Sequence, residues 1–390
     1  MTAAVTERAL AVLVLEDGTV FRGAAYGTTG SALGEVVFST NMTGYQETLT
    51  DPSYHRQIVV QTAPHIGNTG WNDEDGESDR IWVSGYVVRE PARVSSGWQA
   101  ARSLDAVLAE QGVVGISEVD TRALTRHLRA HGTMRAGVFS GSALATGEEM
   151  VQRVLDSAWH DAVEPGAAPG TVEPYVVPAQ GAAEFRVAVL DLGVRSSVLR
   201  MLTERGIEAQ VLPAESSVER IMSTGPDGVL LSNGPGDPAA MAHVTELTVE
   251  LLRRRVPLFG ICLGHQLLGR ALGLSTHRMR CGHRGANVPV RVAATGRVVI
   301  TSQNHGFALT AEPGQRWESE FGEVEVTHHC LNDGTVEGLR CLRIPAFGVQ
   351  YHPGATAGPW DRAGPFDAGP FDRFREMLAG QPVSEQKEGN

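Results

Sequence analysis

The 390-residue sequence has few cysteines and no cysteine pair with metal-binding or redox spacing. Its four cysteines, Cys262, Cys281, Cys330 and Cys341, all lie in the second half of the chain, and none forms a C-x-x-C pair. This spacing predicts neither a zinc site nor a redox motif, and we expect four free thiols in a reducing compartment. A reactive thiol must therefore be identified from its neighbours, because most unpaired cysteines are small buried apolar residues.

Long apolar runs and an excess of basic charge are also absent. No stretch approaches the ~18 apolar residues of a membrane span. The run from Ala9 to Leu15 is short and has no small-residue cleavage site after it. We therefore expect no membrane segment and a cytoplasmic protein. The net charge of −12 argues against nonspecific binding to nucleic acid or anionic membrane, since both need a basic face, but it allows a small anionic substrate.

The length and the changing rhythm of the sequence predict two domains. We expect a mixed α/β domain at 1–141, a linker at 142–184 with one short helix near Glu148–Ser157, a second domain at 185–380 and a polar tail at 381–390. In the first domain the patterns predict strands at Ala11–Leu15 and Ile58–Val60, a turn at Asp17-Gly18, and helices at Leu104–Gln111 and Thr121–His131, the latter capped by Asp120.

The second domain alternates short apolar runs with helical patterns. The runs are Val187–Leu190, Ala209–Leu212, Val229–Leu231 and Pro257–Phe259, and the helical patterns include Ser196–Glu204 and Thr245–Arg254. This alternation predicts an α/β fold with a mainly parallel sheet flanked by helices. The glycine-rich loop Asn233–Pro238 and the turn after Phe259 then fall on one edge of the sheet, where such folds place their sites.

Cys262 lies in the sequence Gly260–Gly264, between a predicted strand and a helix predicted at Gln266–Leu272. The pattern is that of a nucleophile elbow, with cysteine in place of serine. Its glycines are needed because side chains two residues from a strained turn would collide with backbone. The helix N-terminus favours the thiolate, and the N–H of Leu263 is available to an oxyanion. The alternative is a buried, inert cysteine in a glycine-rich packing turn.

His352 follows the apolar strand pattern Phe347–Gln350, and Pro353 ends that strand. A cysteine and a histidine are the minimum for an activated thiol. A single histidine at a strand end is more often a polar surface residue, so the pairing with Cys262 is a hypothesis at this point.

Longer motifs carry a resemblance to a known family. The segments Gly260–Gln266 and Gln350–Pro353 resemble the class I glutamine amidotransferases. Further segments resemble one branch of them, the small subunits of carbamoyl phosphate synthetase: Leu231–Pro238, Gly282–Asn287 and Ser302–Phe307 in the second domain, and Gly34–Phe38, Met42–Glu47, Leu49–Tyr54 and Pro64–Asn68 in the first. The resemblance covers nearly the whole chain.

The resemblance implies that Cys262 attacks the carboxamide of L-glutamine, with His352 as general base and then general acid. It implies that Leu263 and the loop Gly234–Gly236 donate to the oxyanion. By similarity the glutamine is held by Ser53, Gln266, Asn304, Gly306 and Phe307. The resemblance also implies that the ammonia passes to a large subunit, which binds ATP and Mg²⁺. This chain has no G-x-x-x-x-G-K-[ST] loop, and we expect no cofactor or metal on it.

The sequence departs from the family pattern at the third member of the triad. The family continues His-Pro-Glu, whereas this chain has His352-Pro353-Gly354 and so lacks the carboxylate that orients the imidazole. Asp361 and Asp367 are the candidates to replace it. A five-residue tandem duplication follows (Ala363–Asp367, Ala368–Asp372), and Arg195-Ser196-Ser197 replaces a more basic, asparagine-containing family pattern.

Three functions remain open from the sequence alone. The first is an active glutaminase subunit whose rate is reduced by Gly354. The second is a noncatalytic partner that stabilises or regulates a large subunit running on free ammonia. The third is another hydrolase on the same scaffold, such as one that cleaves γ-glutamyl substrates, although the first domain argues against it.

Overall fold

The computed structural model describes residues 8–157, 169–355 and 369–380. The chain divides into two compact units, residues 1–162 and 163–390. The predicted domain limits stay a prediction, but the short helix expected in the linker is confirmed at Gly147–Leu155. Among the described helices, none is long and apolar enough to cross a membrane.

The first unit is a closed barrel with helices around it. Its strands are β1 (Leu10–Leu15), β2 (Val20–Gly27), β3 (Ser31–Ser39), β4 (Gln57–Gln61), β5 (His65–Ile66), β6 (Gly85–Val87), β7 (Glu90–Pro91), β8 (Val114–Ser117) and β9 (Met134–Ser140). Its helices are α1 (Tyr45–Thr50), α2 (Leu104–Glu110), α3 (Thr121–His131) and α4 (Gly147–Leu155), with 3₁₀ turns at Pro52–Tyr54 and Gly141–Ala143.

The barrel has the strand order β1-β2-β8-β6-β4-β3-β9, and β5 pairs with β7 outside it. The predicted hairpin is confirmed, since β1 pairs antiparallel with β2 across the turn at Asp17-Gly18. The helix predicted at Thr121–His131 is also confirmed, and the side chain of Asp120 accepts the N–H of Ala123 as its cap. Helix α4 packs on β1 and β9 and so belongs to this unit.

The second unit is built on one large sheet. Its strands are β10 (Tyr175–Val177), β11 (Phe185–Asp191), β12 (Ile207–Pro213), β13 (Gly228–Leu231), β14 (Leu258–Ile261), β15 (Thr276–Val292), β16 (Val298–Leu309), β17 (Arg316–Ser319), β18 (Gly322–Cys330), β19 (Val336–Cys341) and β20 (Ala346–Val349). Its helices are α5 (Ser196–Thr203), α6 (Val218–Ser223), α7 (Ala242–Arg253), α8 (Leu263–Ala271) and α9 (Gly369–Leu378), with a 3₁₀ turn at Pro238–Ala240.

The parallel part of this sheet runs β12-β11-β13-β14-β20, as the strand and helix alternation predicted. An antiparallel extension, β19-β18-β15-β16, continues from β20, and β17 pairs with β18. The antiparallel extension was not predicted from the residue pattern. Because β14 and β20 are parallel neighbours, the residues that follow them, 262 and 350–352, meet at one edge.

Aromatic packing holds this centre of the sheet in place. The ring of Phe259 on β14 stacks on Phe347 of β20, with centroids 4.5 Å apart, and meets Phe371 of α9 edge-on at 5.7 Å. All three side chains are buried. Such ring pairs add about 0.5–1.5 kcal/mol each to the area that they bury. This packing therefore holds β14 and β20, the strands that Cys262 and His352 follow, against each other.

Candidate active site

Cys262 occupies a strained turn between β14 and α8. Its backbone has φ 53° and ψ −104°, a region that residues with side chains rarely adopt. Its N–H donates to the carbonyl of Val349 on β20 at 2.9 Å, and its carbonyl accepts the N–H of Gln266 at 3.1 Å. Helix α8 begins at Leu263, three residues earlier than predicted, so the thiol lies directly at its N-terminus. This is the geometry of the predicted nucleophile elbow.

The two glycines of the motif are required by close backbone approaches. A Cβ on Gly264 would lie 2.1 Å from the carbonyl oxygen of Leu231, and one on Gly260 would lie 2.6 Å from the carbonyl oxygen of Gly264. Real Cβ atoms do not come this close to backbone. The N–H of Gly264 also donates to the carbonyl of Ser232 at 3.1 Å. The turn therefore packs directly on the end of β13.

The thiol of Cys262 is buried among polar groups. It lies 3.6 Å from the carbonyl oxygen of Asn304 on β16 and 3.6 Å from Nε2 of Gln350. Nε2 of Gln266 in turn donates to Oε1 of Gln350 at 3.0 Å and to the carbonyl of Phe307 at 2.7 Å. Of the predicted glutamine-binding residues, Asn304 thus contacts the thiol directly, and Gln266 and Phe307 are linked to it through Gln350.

Asn304 has a polar group that points to a ligand. Its side-chain Nδ2 is buried, and among the described residues it has no hydrogen-bond partner. Burying an amide N–H without a partner costs ~1–3 kcal/mol, so such groups are uncommon without a function. Gly306, two residues further along β16, has little room for a side chain, because a Cβ there would lie 3.2 Å from Nη2 of Arg284.

The loop after β13 carries the other predicted oxyanion donors. A Cβ on Gly234 would lie 2.0 Å from the carbonyl oxygen of Leu192, and Gly236 has φ +103°, which favours glycine. Leu263 is the first residue of α8, where a backbone N–H is not used by the helix itself. The turn at Cys262 and the loop at Gly234–Gly236 both lie at the end of β13, but their contact with an oxyanion stays a prediction.

Ser53 belongs to the first unit. It lies in the 3₁₀ turn Pro52–Tyr54, is buried, and its N–H donates to Oδ1 of Asp51 at 2.9 Å. Its contact with glutamine stays a prediction from the family resemblance.

His352 has an unexpected neighbour. It is buried beyond the end of β20, and its N–H donates to the carbonyl of Ser302 at 2.9 Å. Its ring nitrogen Nδ1 lies 2.7 Å from Nη1 of Arg195, which is also buried. A guanidinium has only donors, so Nδ1 must be the acceptor and the neutral ring carries its hydrogen on Nε2. In a triad the acid accepts from Nδ1–H instead, which leaves Nε2 free of hydrogen and able to act as a base.

Gly354 supplies no carboxylate and adopts a conformation that suits glycine. Its φ is +71°, and a Cβ there would lie 2.8 Å from Cγ of Met201. A glutamate at this position would need both a left-handed backbone and a displaced methionine side chain. Asp361, Asp367 and most of the tandem duplication lie outside the described residues.

Two other histidines of this unit are held neutral. Burial, with a smaller effect from His328, lowers the pKa of His265 to about 3. Burial and the neighbouring His283 also lower the pKa of His305. Neither ring is therefore suited to accept a proton from a thiol near neutral pH.

Comparison with known proteins identifies the family. Residues 13–138 match the model of the carbamoyl-phosphate synthase small chain, CPSase domain, and residues 188–369 match that of the class I glutamine amidotransferases. The chain is 56% identical to the carbamoyl phosphate synthase small chain of Streptomyces coelicolor, over 96% of this chain and 97% of that one. It is 57% identical to that of Streptomyces avermitilis (95% and 96%) and 54% identical to that of Mycobacterium tuberculosis (95% and 99%).

This chain belongs to the carbamoyl phosphate synthase small chain family. The resemblance inferred from the motifs is confirmed, and so is the fold class, with a small-chain domain followed by a glutamine amidotransferase domain. The reading as an unrelated hydrolase on the same scaffold loses its basis, because the match includes the first domain.

Sequence reasoning missed two residues of this small-chain site. Gln350 touches the thiol and lies two residues before His352, so strand alternation could have placed both on one face. Arg195 was noted only as a departure from the family pattern. Its contact with His352 joins residues 157 positions apart, and no local signal reports it.

The elbow geometry predicts that Gly264→Ala is damaging. The added methyl would push against the Leu231 carbonyl, so we expect a loss of ~1–3 kcal/mol in unfolding free energy and of glutamine turnover. Thermal unfolding and glutaminase assays measure both. Gly147→Ala is the matched control, because a Cβ there meets nothing within 4 Å. Equal behaviour of the two variants would contradict the packing described.

The Arg195 contact predicts a fixed tautomer of His352. In the wild type we expect Nδ1 without hydrogen and Nε2 protonated. In Arg195→Met we expect the Nδ1–H form to become populated, since the donor is gone. Long-range ¹⁵N–¹H spectra of histidine-labelled protein distinguish the two, and His352→Asn assigns the signals. Arg200→Met, on the same helix but paired with Glu204, should leave the spectrum unchanged; an Nδ1–H signal in the wild type would refute the assignment.

Proposed function

We propose that this chain is the glutamine-hydrolysing subunit of a carbamoyl phosphate synthase. It would release ammonia from glutamine and pass it to a large subunit, which makes carbamoyl phosphate from bicarbonate and ATP. ATP and Mg²⁺ would bind to that large subunit and not to this chain. The observation that carries the proposal is the strained Cys262 at the N-terminus of α8, whose sulfur lies 3.6 Å from the carbonyl oxygen of Asn304 and 3.6 Å from Nε2 of Gln350.

The proposed reaction begins with attack of the Cys262 sulfur on the side-chain carbonyl carbon of glutamine. The backbone N–H of Leu263 and those of the loop at Gly234–Gly236 would stabilise the oxyanion, at roughly 3 kcal/mol for a well-placed donor. His352 would take the proton of the thiol and give it to the leaving nitrogen, so that the C–N bond breaks, ammonia leaves and the thioester forms. Water then attacks the thioester, and glutamate and the thiol are released. Nδ2 of Asn304 is a buried donor available to a polar group of the glutamine.

We further propose that this half-reaction is slow. The general base would be His352, but the acid is replaced by Gly354, and Arg195 favours the tautomer with hydrogen on Nε2. In a serine triad the wrong tautomer costs about 10⁴-fold. A cysteine suffers less, because a useful fraction of thiol ionises near neutral pH without help. Activity should therefore survive at a reduced rate.

The second candidate is a subunit that no longer hydrolyses glutamine at a useful rate and supports a large subunit running on free ammonia. The contact between Arg195 and His352 is the observation that favours it. The intact elbow around Cys262 favours the first candidate, because its strained backbone places the thiol directly at the N-terminus of α8, as a nucleophile requires.

The two candidates differ in the nitrogen source. We expect carbamoyl phosphate synthesis with the cognate large subunit from both glutamine and ammonium, and we expect Cys262→Ser to abolish only the glutamine-supported rate. The ammonium-supported rate of the same variant controls for assembly. Synthesis from ammonium alone, already in the wild type, would favour the second candidate.

Restoring the acid tests the cause of the reduced rate. Because Met201 occupies the space, the test uses Met201→Ala as background and compares Gly354→Glu with Gly354→Gln. Both carry the same left-handed backbone cost of ~1–2 kcal/mol. We expect the glutamate variant to turn over glutamine at least about 10-fold faster than the glutamine variant, with about 10⁴-fold as the upper bound. Equal rates would mean that the missing carboxylate does not limit this site.

A further inference from the structure

Outside the catalytic site, three side chains of types that ligate metals converge in the antiparallel extension. His283 comes from β15, Cys330 ends β18, and Asp333 lies in the turn between β18 and β19. One ligand atom from each lies within 4.8 Å of the other two. Imidazole, thiolate and carboxylate are the ligands that zinc takes in proteins.

The turn that contains Cys330 has the spacing of a metal-binding turn. The N–H of Gly334 donates to the carbonyl of Cys330 at 3.0 Å, and the N–H of Cys330 donates to the carbonyl of Thr335 at 2.8 Å, which closes the turn. Burial raises the pKa of the Cys330 thiol to about 12, and the backbone of Asn332 and Asp333 offsets this only in part. The free thiol is therefore protonated, and a metal ion would have to displace that proton to bind the thiolate. The Cys-x-x-Asp spacing matches that of a C-x-x-C metal turn, with aspartate as the second ligand.

The carboxylate of Asp333 is also oriented. Its Oδ1 accepts the N–H of Thr335 at 3.1 Å, and its Oδ2 lies 2.9 Å from Nε2 of His283. Asp333 is partly exposed, so an ion can reach the cluster from solvent.

His283 has the support that a metal-ligating histidine needs. Its second nitrogen, Nδ1, hydrogen-bonds to Oε1 of Gln303 at 3.2 Å and lies 3.3 Å from Oε1 of Glu337, a carboxylate with no exposed surface. Zinc-bound histidines almost always donate their other N–H to a carboxylate or carbonyl in this way, which fixes the ring and strengthens the ligand. A buried carboxylate behind His283, with the other nitrogen facing Cys330 and Asp333, is therefore a second observation that points to a metal.

We propose that Nε2 of His283, Sγ of Cys330 and Oδ2 of Asp333 bind one zinc ion, with Glu337 as the outer carboxylate and water in the fourth position. Bonds of about 2.0–2.3 Å in a tetrahedron place ligand atoms about 3.3–3.6 Å apart. The carboxylate and the imidazole, now 2.9 Å apart, need to separate by only a few tenths of an ångström. The ion would join β15 to the β18–β19 turn, and this role is independent of glutamine hydrolysis.

The competing interpretation is a proton in place of the metal. Burial opposes a charge on His283, but its hydrogen bonds to Asp333 and Glu337 outweigh burial and raise its pKa to about 9. Without zinc, an imidazolium between two carboxylates would satisfy the same groups and Cys330 would be an inert thiol. The two interpretations predict different amounts of zinc in the purified protein.

The test measures zinc per chain in the full-length protein, purified without a polyhistidine tag, before and after dialysis against micromolar zinc. We expect one zinc per chain, and loss of that equivalent in Cys330→Ser. In Glu337→Gln, which removes only the outer carboxylate, we expect zinc affinity to fall about 10–100-fold. Cobalt in place of zinc should give a thiolate charge-transfer band that Cys330→Ser lacks.

Two control variants locate the ion. Cys341→Ser, a buried cysteine of β19 outside the cluster, and Cys262→Ala, at the catalytic turn, should both keep one zinc per chain. The proposal is overturned if the wild type binds no zinc, if Cys330→Ser keeps its equivalent, or if Cys262→Ala loses it. Thermal unfolding of each variant shows that it is folded, and Glu337→Gln keeps the test decisive if Cys330→Ser does not fold.

Discussion

The second unit depends on one close approach, between the backbone of α8 and the carbonyl of Leu231 at the end of β13. Only a glycine at 264 allows it, since a Cβ there would lie 2.1 Å from that oxygen. With this approach the start of α8 packs against the sheet, and Cys262, the residue before the helix, adopts φ 53°. The cost of that conformation is about 1–3 kcal/mol, and the aromatic packing of Phe259 behind β14 helps to hold it. Because β14 pairs in parallel with β20, the same edge receives Gln350 and His352.

The parallel part of the fold could be predicted because its strands are short, apolar and separated by helices of clear period. The antiparallel part could not. Strand β15 has 17 residues, four of them arginines, and its register with β16 shifts between Arg278 and His283 and again between Gly285 and Val288. Each shift breaks the alternation on which strand prediction relies. The start of α8 was missed for a related reason. Cys262 is the N-cap residue of α8 in a strained conformation, and its side chain makes no capping hydrogen bond that the sequence could reveal.

The site shows the same division between local and long-range information. Cys262 and His352 are marked by glycines, by a proline and by their place at strand ends, all of which are local. Arg195 is not, because it reaches His352 from 157 positions away. The proposed zinc ligands are also beyond local spacing, since His283 comes from a different hairpin than Cys330 and Asp333. The absence of a C-x-x-C pair excludes only metal sites whose ligands are neighbours in the sequence.

In the proposed reaction, the loss of the acid and the contact with Arg195 both act on proton transfer by His352. A buried cation beside Nδ1 disfavours a second positive charge on the ring, so the pair of thiolate and imidazolium is harder to form. The same contact keeps hydrogen on Nε2, where the neutral ring can donate a hydrogen bond but is too weak an acid to release the proton. Departure of ammonia needs a donor, whereas ionisation of the thiol can occur without the ring. In the reaction proposed above, the contact with Arg195 would therefore weaken His352 as the base of the first step and, because it disfavours the imidazolium, also as the acid that protonates the leaving ammonia.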